Sequence, residues 1–430
     1  MHQRRNRSNN ELELYMLDRI LSRENMTRAY KRVVGNKGAA GVDGVQTDEL
    51  RSVLNEQWPF IKAEILEGSY RPEPVRRVEI PKPNGGTRKL GVPTTTDRLI
   101  QQGVQQVLSA YYDPTFSEHS YGFRPGRSAH QAIEQALVYV NEGYSYVVDI
   151  DLEKFFDTVG HDYLMNLLSK RITDKPLLKL IRRYLQAGIM EDGVVSPNRQ
   201  GTPQGGPLSP LLSNILLDLL DKELEERGHR FVRYADDCSI YVGSLRAGER
   251  VLRSVTRFIE KELKLKVNRK KSGVRPASRM TLLGYGFYGA KGGYRLRIAP
   301  RSIVRFKAKL KELTRRNRPV PMKQRLKRLM QMCRGWIGYF KLADAHAHLS
   351  RIDEWVRSRL RYCIWHQWKR VRTRFKALVK LGASRRNAYI WANTRKGGWH
   401  TAHSYVMKGT VTNARLRQKG YISLIEMYST

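Results

Sequence analysis

Phe231-Val-Arg-Tyr-Ala-Asp-Asp-Cys-Ser-Ile-Tyr-Val242 is the stretch around which the rest of the sequence is organised. Phe231, Val232 and Tyr234 on one side, and Ile240, Tyr241 and Val242 on the other, favour extended backbone, while Asp236-Asp237 favours a turn. The spacing predicts a β-hairpin with two adjacent carboxylates at its tip. Two like charges there repel and do little to stabilise a fold. They suit either a divalent cation or a solvated turn, and the tetrapeptide alone does not choose between these.

A second acidic pair lies upstream. Tyr146-Val-Val-Asp-Ile-Asp-Leu152 alternates as a strand, which puts Asp149 and Asp151 on one face. No Lys or Arg adjoins them on that face, so a metal is the simplest partner for acids buried there. Phe155-Phe156 then begins a turn into a helix expected to end near Arg171. If Asp151 converges with Asp236 and Asp237, hard oxygen donors surround a site of the kind that two-metal phosphoryl transfer requires. Mg²⁺ suits it, because that ion accepts few protein ligands and completes its shell with water and phosphate.

Composition narrows the partner. The 430 residues carry a formal net charge of +39. Residues 291–430 hold 35 Lys and Arg against 5 Asp and Glu, a net of +30, which leaves +9 for the first 290. Such a cationic surface points to a nucleic acid. A membrane surface fits less well, since aromatics and arginines interleave and no helix has a clean apolar face for lipid. No apolar run is long enough to span a bilayer, and the N-terminus lacks a signal-peptide pattern. Cys238, Cys333 and Cys363 form neither a disulfide framework nor a zinc pattern, which fits a reducing cytoplasm.

Other segments add candidates. Residues 11–22 and 25–34 read as helices, followed by a glycine-rich loop over 35–44 that contains Lys37. That loop suits a template backbone or an ordinary connector equally. Arg76 to Val92 predicts a hairpin turning at Asn84-Gly85-Gly86, with Lys82 and Arg88 near one end of opposite arms, either clamping a triphosphate or merely solvated. Helices are expected over 97–111 and around 132–140. Between them, His119 to Ser128 lacks an acid to orient its histidine, and Arg124 and Arg127 are expected to face a phosphate chain. Gly201-Thr-Pro-Gln-Gly-Gly-Pro-Leu-Ser-Pro210 is a tight polar loop entering an apolar helix over 211–224, more typical of a functional surface than of a linker. Residues 246–263 read as an amphipathic helix, three basic amphipathic helices follow 291, and residues 376–430 read as a small appended domain.

Taken together, the sequence resembles the reverse transcriptases encoded in bacterial group II introns, particularly the compact subclass C proteins without an endonuclease domain. The motifs are Ile80-Pro-Lys82, Ser120-Tyr-Gly-Phe-Arg-Pro125, Val148 to Asp157, Gly201-Thr-Pro-Gln-Gly-Gly206, Tyr234-Ala-Asp-Asp237, Leu283-Gly-Tyr285 and Arg334-Gly-Trp-Ile-Gly-Tyr-Phe340. The resemblance implies an α+β right-hand polymerase. Its N-terminal extension and fingers occupy 1–110, its palm, an antiparallel sheet packed on helices with interleaved fingers segments, 111–295, its three-helix thumb (maturase domain X) 296–375, and a basic DNA-binding domain 376–430. Asp151, Asp236 and Asp237 would be the catalytic ligands of two Mg²⁺ ions, Asp151 being preferred to Asp149 because Phe156 follows five positions later as a sugar gate. Lys82 and Arg88 would grip the triphosphate, and Gln204 and Gly205 would line the nascent base pair. Lys271 would approach the pyrophosphate or stay solvated. Leu283, Gly284 and Tyr285 would form the primer grip, while Lys37, Arg124, Arg127 and Arg334 would contact nucleic acid. Implied partners are intron RNA in a ribonucleoprotein, an RNA template with DNA primer, target DNA and dNTPs, with no membrane, in a bacterial cytoplasm and at the nucleoid when acting on DNA. Aromatics such as Trp336, Tyr339 and Trp365 are expected mainly in the core. Cys-x-x-Cys pairs are absent after 376, so DNA cleavage is not expected. Two further functions fit the residues less well: a splicing cofactor with incidental polymerase activity, and a domesticated polymerase in defence or CRISPR spacer acquisition.

Overall fold

Where β-branched and aromatic residues cluster, the first of the chain's two units, Met1–Pro276, forms strands β1 (Val75–Pro81), β2 (Thr87–Val92), β3 (Tyr146–Ile150), β4 (Ile189–Glu191), β5 (Val194–Ser196), β6 (Arg230–Tyr234), β7 (Asp237–Val242) and β8 (Gly273–Pro276). The computed structural model describes residues 16–81, 86–191, 193–202 and 205–429. One sheet has the order β6-β7-β3-β8, antiparallel throughout. Its register pairs Asp149 with Ser239 and Ile150 with Cys238, so Asp151 and Asp237 follow immediately on a paired rung of neighbouring strands. The second acidic pair is thereby brought to the hairpin tip.

The other sheet, β2-β1-β4-β5, contains the expected hairpin, with Val78 opposite Leu90 and Ile80 opposite Arg88. Behind the acidic sheet, Val148, Ile150, Phe231 and Ile240 join a single apolar core with Leu211, Leu216 and Leu220 of helix Ser209–Glu226 and with Val255 and Ile259 of helix Leu245–Lys261. The expected helices appear as Arg23–Gly35, Thr95–Tyr112 and Ala129–Asn141. Their starts are set by side-chain caps: Thr94 Oγ1 accepts from Asp97 N at 3.1 Å, and Ser128 with Gln131 closes a reciprocal capping box. The segment after Phe156 is two helices rather than one, Phe155–Thr158 and His161–Ser169.

The second unit, Ala277–Thr430, begins with a three-stranded sheet of β9 (Thr281–Leu282), β10 (Tyr285–Ala290) and β11 (Gly293–Ile298). Helices Pro300–Leu313, Met322–Tyr339 and His346–Gln367 follow, as their apolar periodicity predicts. Phe306 and Trp336 stack at 3.8 Å between ring centres, and Trp365 is buried, so these aromatics are core. The first helix ends against Arg325, which is buried and donates to the carbonyls of Leu313 (2.6 Å), Arg315 (2.9 Å) and Arg318 (3.0 Å). A cation here satisfies carbonyls that a helix end leaves without partners.

Two expected boundaries fall inside elements. The one at 295/296 cuts β11, and the one at 375/376 cuts helix Val371–Lys380. Residues 376–430, read from the sequence as a small appended domain, lie within this second unit. They are short helices sewn to helix His346–Gln367 through buried polar groups. Asp353 Oδ1 accepts from Tyr421 Oη at 2.6 Å and from Leu424 N at 2.8 Å, Arg357 pairs with its second oxygen, and Arg361 donates to Val411 O at 2.9 Å. The periodicity does not reveal this, because the contacts are side chain to backbone across some seventy residues.

Removing the Asp353 carboxylate would leave a buried hydroxyl, an amide and a guanidinium without their acceptor. Asp353→Ala is expected to destabilise this unit by about 3 kcal/mol and to expose residues beyond 410 to limited proteolysis. A thermal melt and a cleavage time course check both.

Candidate active site

The catalytic-looking turn is built from beneath. Tyr234 pairs with Asp237, leaving Ala235 and Asp236 as a two-residue loop. Ala235 has φ +58°, a left-handed conformation that costs an L-residue roughly 1–2 kcal/mol. Two features hold it there. Gly122 lies so close that a Cβ on it would stand 2.3 Å from Ala235 N. Arg233 Nη1 donates to Ala235 O at 2.9 Å.

Arg233 has no exposed surface, yet all five of its donors are used. Nε and Nη2 clasp the two oxygens of Asp221 at 2.6 and 2.5 Å, Nη1 also reaches Asn214 Oδ1 at 3.0 Å, and Nη2 also reaches Ser120 Oγ at 2.7 Å. Asn214 donates onward to Gly122 O at 2.9 Å. Thus a buried ion pair, a helix, the Ser120–Pro125 loop and the acidic turn form one unit. Arg233 and Asp221 escaped the sequence reading, because the strand also holds Arg230 and the helix also holds Asp218, so neither residue singles out its partner.

Above this base lies an open cleft of about 1770 Å³, lined among others by Asp151, Asp236, Asp237, Phe156, Arg88 and Lys271. Asp151 does have a cationic partner, contrary to expectation. Lys271 Nζ stands 3.1 Å from its Oδ2, an ion pair between residues 120 apart in sequence. Asp151 N donates to Ser272 Oγ at 3.0 Å, and Asn268 N donates to Asp151 O at 2.8 Å, so the backbone here is fixed. Burial, together with the charges of Asp236, Asp149 and Asp151, pushes the Asp237 carboxyl up to about 6, against the opposing pull of Lys271. The residue is nonetheless exposed at the cleft surface, so solvent screens part of that field. Asp149 is raised too, by burial first and by Asp151, with Arg275 opposing.

Among the described residues no group of three or more His, Cys, Asp or Glu side chains is drawn together tightly enough to hold a metal ion. The donor chemistry still fits one. Carboxylates on neighbouring strands share one cleft, and their mutual repulsion is what a divalent cation relieves.

Phe156 is half-buried in the cleft wall, and its backbone is locked to the glycine-rich loop. Thr202 N donates to Phe156 O at 2.7 Å and Gly201 N to Val159 O at 2.8 Å. Gly201 has φ +91°, and a Cβ there would meet Phe156 O at 2.7 Å. The Gly201 carbonyl is held by His161 Nε2 at 2.7 Å, a second contribution the sequence did not announce. Gly205, at φ +127°, packs against the backbone of β2, where a Cβ would lie 2.5 Å from Gly91 O. Arg88 is exposed on β2 and lines the cleft. Lys82 and Gln204 lie outside the described residues.

Leu283, Gly284 and Tyr285 belong to the second unit. The first two turn with φ of +50° and +87°, and Leu283 O accepts from Tyr339 Oη at 2.8 Å. Lys37 is exposed, in a loop whose carbonyls at Ala39 and Ala40 are held by Arg98 and Arg76. Arg334 is exposed. Arg124 does not face a phosphate chain. It is buried, with Nε 2.7 Å from Asp113 Oδ1 and Nη1 on the carbonyls of Ser117 and Ser120, where it closes its own loop. Arg127 pairs with Glu118 at the surface.

Comparison with known proteins bears on this geometry. Residues 80–287 match the family described as reverse transcriptase (RNA-dependent DNA polymerase), and residues 303–382 match the group II intron, maturase-specific domain. Protein YkfC of Escherichia coli (strain K12) is 32% identical over 304 residues, which are 61% of this chain and 80% of YkfC. This chain belongs to the reverse transcriptase family. The family generally uses divalent metal ions, in keeping with the carboxylates of the cleft. The group II intron-encoded protein LtrA of Lactococcus lactis subsp. cremoris is 38% identical over 206 residues, 48% of this chain but only 34% of LtrA. The putative COX1/OXI3 intron 2 protein of Saccharomyces cerevisiae is 36% identical over 203 residues, 46% of this chain and 23% of that protein. This reverse transcriptase therefore matches about a third or less of the length of those two relatives. A partial Cas6-RT-Cas1–Cas2 complex is 28% identical over 57% of this chain and 43% of that one, with a TM-score of 0.37, a likeness too slight to weigh on function.

The raised Asp237 carboxyl has a signed consequence. In the folded state it keeps its proton up to about pH 6, whereas the unfolded chain loses it at about pH 4, so stability contributed by this group falls as pH rises through that window. Metal-free Asp237→Asn is expected to melt higher than the parent above about pH 6, with the gain vanishing below about pH 4. Thermal melts in chelator across that range check it.

Proposed function

We propose that the cleft holding Asp151, Asp236 and Asp237 is the catalytic centre of an RNA-directed DNA polymerase that works with two Mg²⁺ ions and also serves its intron RNA as a splicing maturase. In mobility it would extend a DNA primer at the target site. The observation that supports this best is the β3–β7 register, which seats Asp151 beside Asp236-Asp237 in one cleft with Phe156, Arg88 and Lys271.

When bound, two such ions lower the cost of ionising a primer 3′-hydroxyl and stabilise the charge on departing pyrophosphate. The chain's own groups account for the rest. Asp151, Asp236 and Asp237 hold the ions, which requires Lys271 to leave Asp151 and frees its ammonium for the triphosphate end of the nucleotide. Arg88, with Lys82, offers donors to the phosphates from the hairpin. The Phe156 main chain is fixed by its carbonyl on Thr202, and its ring in the cleft wall would collide with a ribose 2′-hydroxyl that a deoxyribose lacks. Gln204 and Gly205 bound the nascent pair, and Leu283, Gly284 and Tyr285 support the primer. Lys37 and Arg334, and Arg127 once it leaves Glu118, would serve phosphate contacts with template or intron RNA, and the basic C-terminal helices target DNA.

Two variants test the assignment. Asp236→Ala is expected to reduce extension of oligo(dT) on poly(rA) at least about a thousand-fold while RNA affinity stays within about two-fold, since the acids hold metal rather than RNA. Extension that persisted would remove Asp236 from the metal site. Phe156→Ala is expected to incorporate ribonucleotides readily, and an unchanged preference for dNTP over rNTP would remove the gate.

A further inference from the structure

Phe156 is carried by a helix too short to hold itself. Helix Phe155–Thr158 spans four residues, fewer than a helix in water needs to persist, and it follows Lys154, whose φ of +48° is left-handed. The Phe156 ring meets that of Phe155 edge-on at 5.1 Å, but Phe155 is buried whereas Phe156 is only half-buried. Where Phe156 stands is therefore decided by what holds its main chain.

That hold comes from the glycine-rich loop. Thr202 N donates to Phe156 O at 2.7 Å and Gly201 N to Val159 O at 2.8 Å, two rungs that lay the loop along residues 156–159. The fit is close, since a Cβ on Gly201 would stand 2.7 Å from Phe156 O and 2.9 Å from Asp157 Cα. The loop also borders a cavity of about 170 Å³, shared with Val75 of β1 and with Leu90 and Gly91 of β2, so packing alone does not stop it from shifting.

The brace is His161. It opens helix His161–Ser169, is 7% exposed, and its Nε2 lies 2.7 Å from Gly201 O. A carbonyl only accepts, so Nε2 carries the proton of that bond. Asn198 Nδ2 also reaches this oxygen, but at 3.3 Å, and makes its shorter bond, 2.7 Å, to Leu185 O. His161 therefore supplies the firmer hold on a buried carbonyl. It does so from two residues beyond Val159, so that residues 156–161 and 201–202 close into one ring of hydrogen bonds.

We propose that His161 is a positioning residue for sugar selection: through Gly201 and Thr202 it holds Phe156 where the ring excludes a 2′-hydroxyl. This rests on the reading of Phe156 as the gate, and it adds a residue that does not itself line the cleft. Without the Nε2 donor, Gly201 is free to drift toward the cavity, and the Phe156 carbonyl bonded to Thr202 drifts with it. The ring then yields to a ribose. The backbone of the acids, held at Ala235 by Arg233 and at Asp151 by Ser272, stays in place.

The test reads sugar choice separately from turnover. Full-length variants extend oligo(dT) on poly(rA) with dUTP or UTP, which differ only in the 2′-hydroxyl, and kcat/KM is compared between the two. His161→Ala is expected to lower the preference for dUTP about ten-fold, while kcat at saturating dUTP stays within about three-fold of the parent. His161→Gln puts an amide N–H where Nε2 stood, and is expected to restore the preference to within about two-fold. His161→Phe keeps a ring and loses the donor, and is expected to discriminate as poorly as His161→Ala. Adding His161→Ala to Phe156→Ala is expected to change the preference no further, because the two residues act in series.

Parental discrimination in His161→Ala, with discrimination lost in Phe156→Ala, would overturn the brace and leave the gate. Parental discrimination in Phe156→Ala would overturn the gate itself and the brace with it. A double variant more permissive than Phe156→Ala alone would place His161 on another route and overturn its action through Phe156. Equal losses with dUTP and UTP in His161→Ala, accompanied by a lower melting temperature and not restored by His161→Gln, would reduce the contact to a structural one and overturn the proposal.

Discussion

A guanidinium taken wholly out of water governs the architecture of the cleft. Dehydrating Arg233 is costly, and the cost is offset only because all five donors find acceptors, two of them on the equally buried Asp221. One of those acceptors is the carbonyl of Ala235, so the same network that neutralises the charge also fixes the left-handed residue beneath Asp236. The turn is strained, and the strain is tolerated because its surroundings over-determine it. Strand, helix and loop cannot shift independently without leaving a buried charge unpaired.

The acids above it are organised by the opposite imbalance. There Asp149, Asp151 and Asp236 all raise the Asp237 carboxyl, and Lys271 opposes them only in part. The protein thus places a satisfied charge network directly under an unsatisfied one. The first gives rigidity, and the second leaves negative charge that a divalent ion would neutralise. Phe156 shares in that rigidity through the backbone hydrogen bonds of Gly201 and Thr202, and Gly201 has no room there for a side chain.

Most of the polymerase cleft was legible in the sequence because its signals are local. Alternation at 146–152 and at 231–242 marked both strands, and turn chemistry marked the tip. Partnerships across long separations were not legible. Nothing near Asp151 announces Lys271, and the run Phe231-Val-Arg-Tyr gives no hint that its arginine points inward. The C-terminal third shows a subtler limit. Its composition correctly signalled a cationic unit, yet Arg325 and Arg361 are buried on carbonyls, as Arg124 is in the first unit, so formal charge overstates what the surface offers. The attachment of the same segment was not legible, because it runs through Asp353, whose partners Tyr421 and Leu424 lie some seventy residues away.

The knot at Arg233 also makes the turn depend on distant parts of the chain. Its partners come from positions 120, 214, 221 and 235, and a charge this deeply placed cannot be stripped of water by one of them at a time. Helix Ser209–Glu226, the loop at Ser120 and the hairpin must all be in place for that charge to be satisfied. A chain that has not completed its core therefore presents no acidic tip in working geometry. The geometry of the tip is thus a property of the completed core rather than of the hairpin alone.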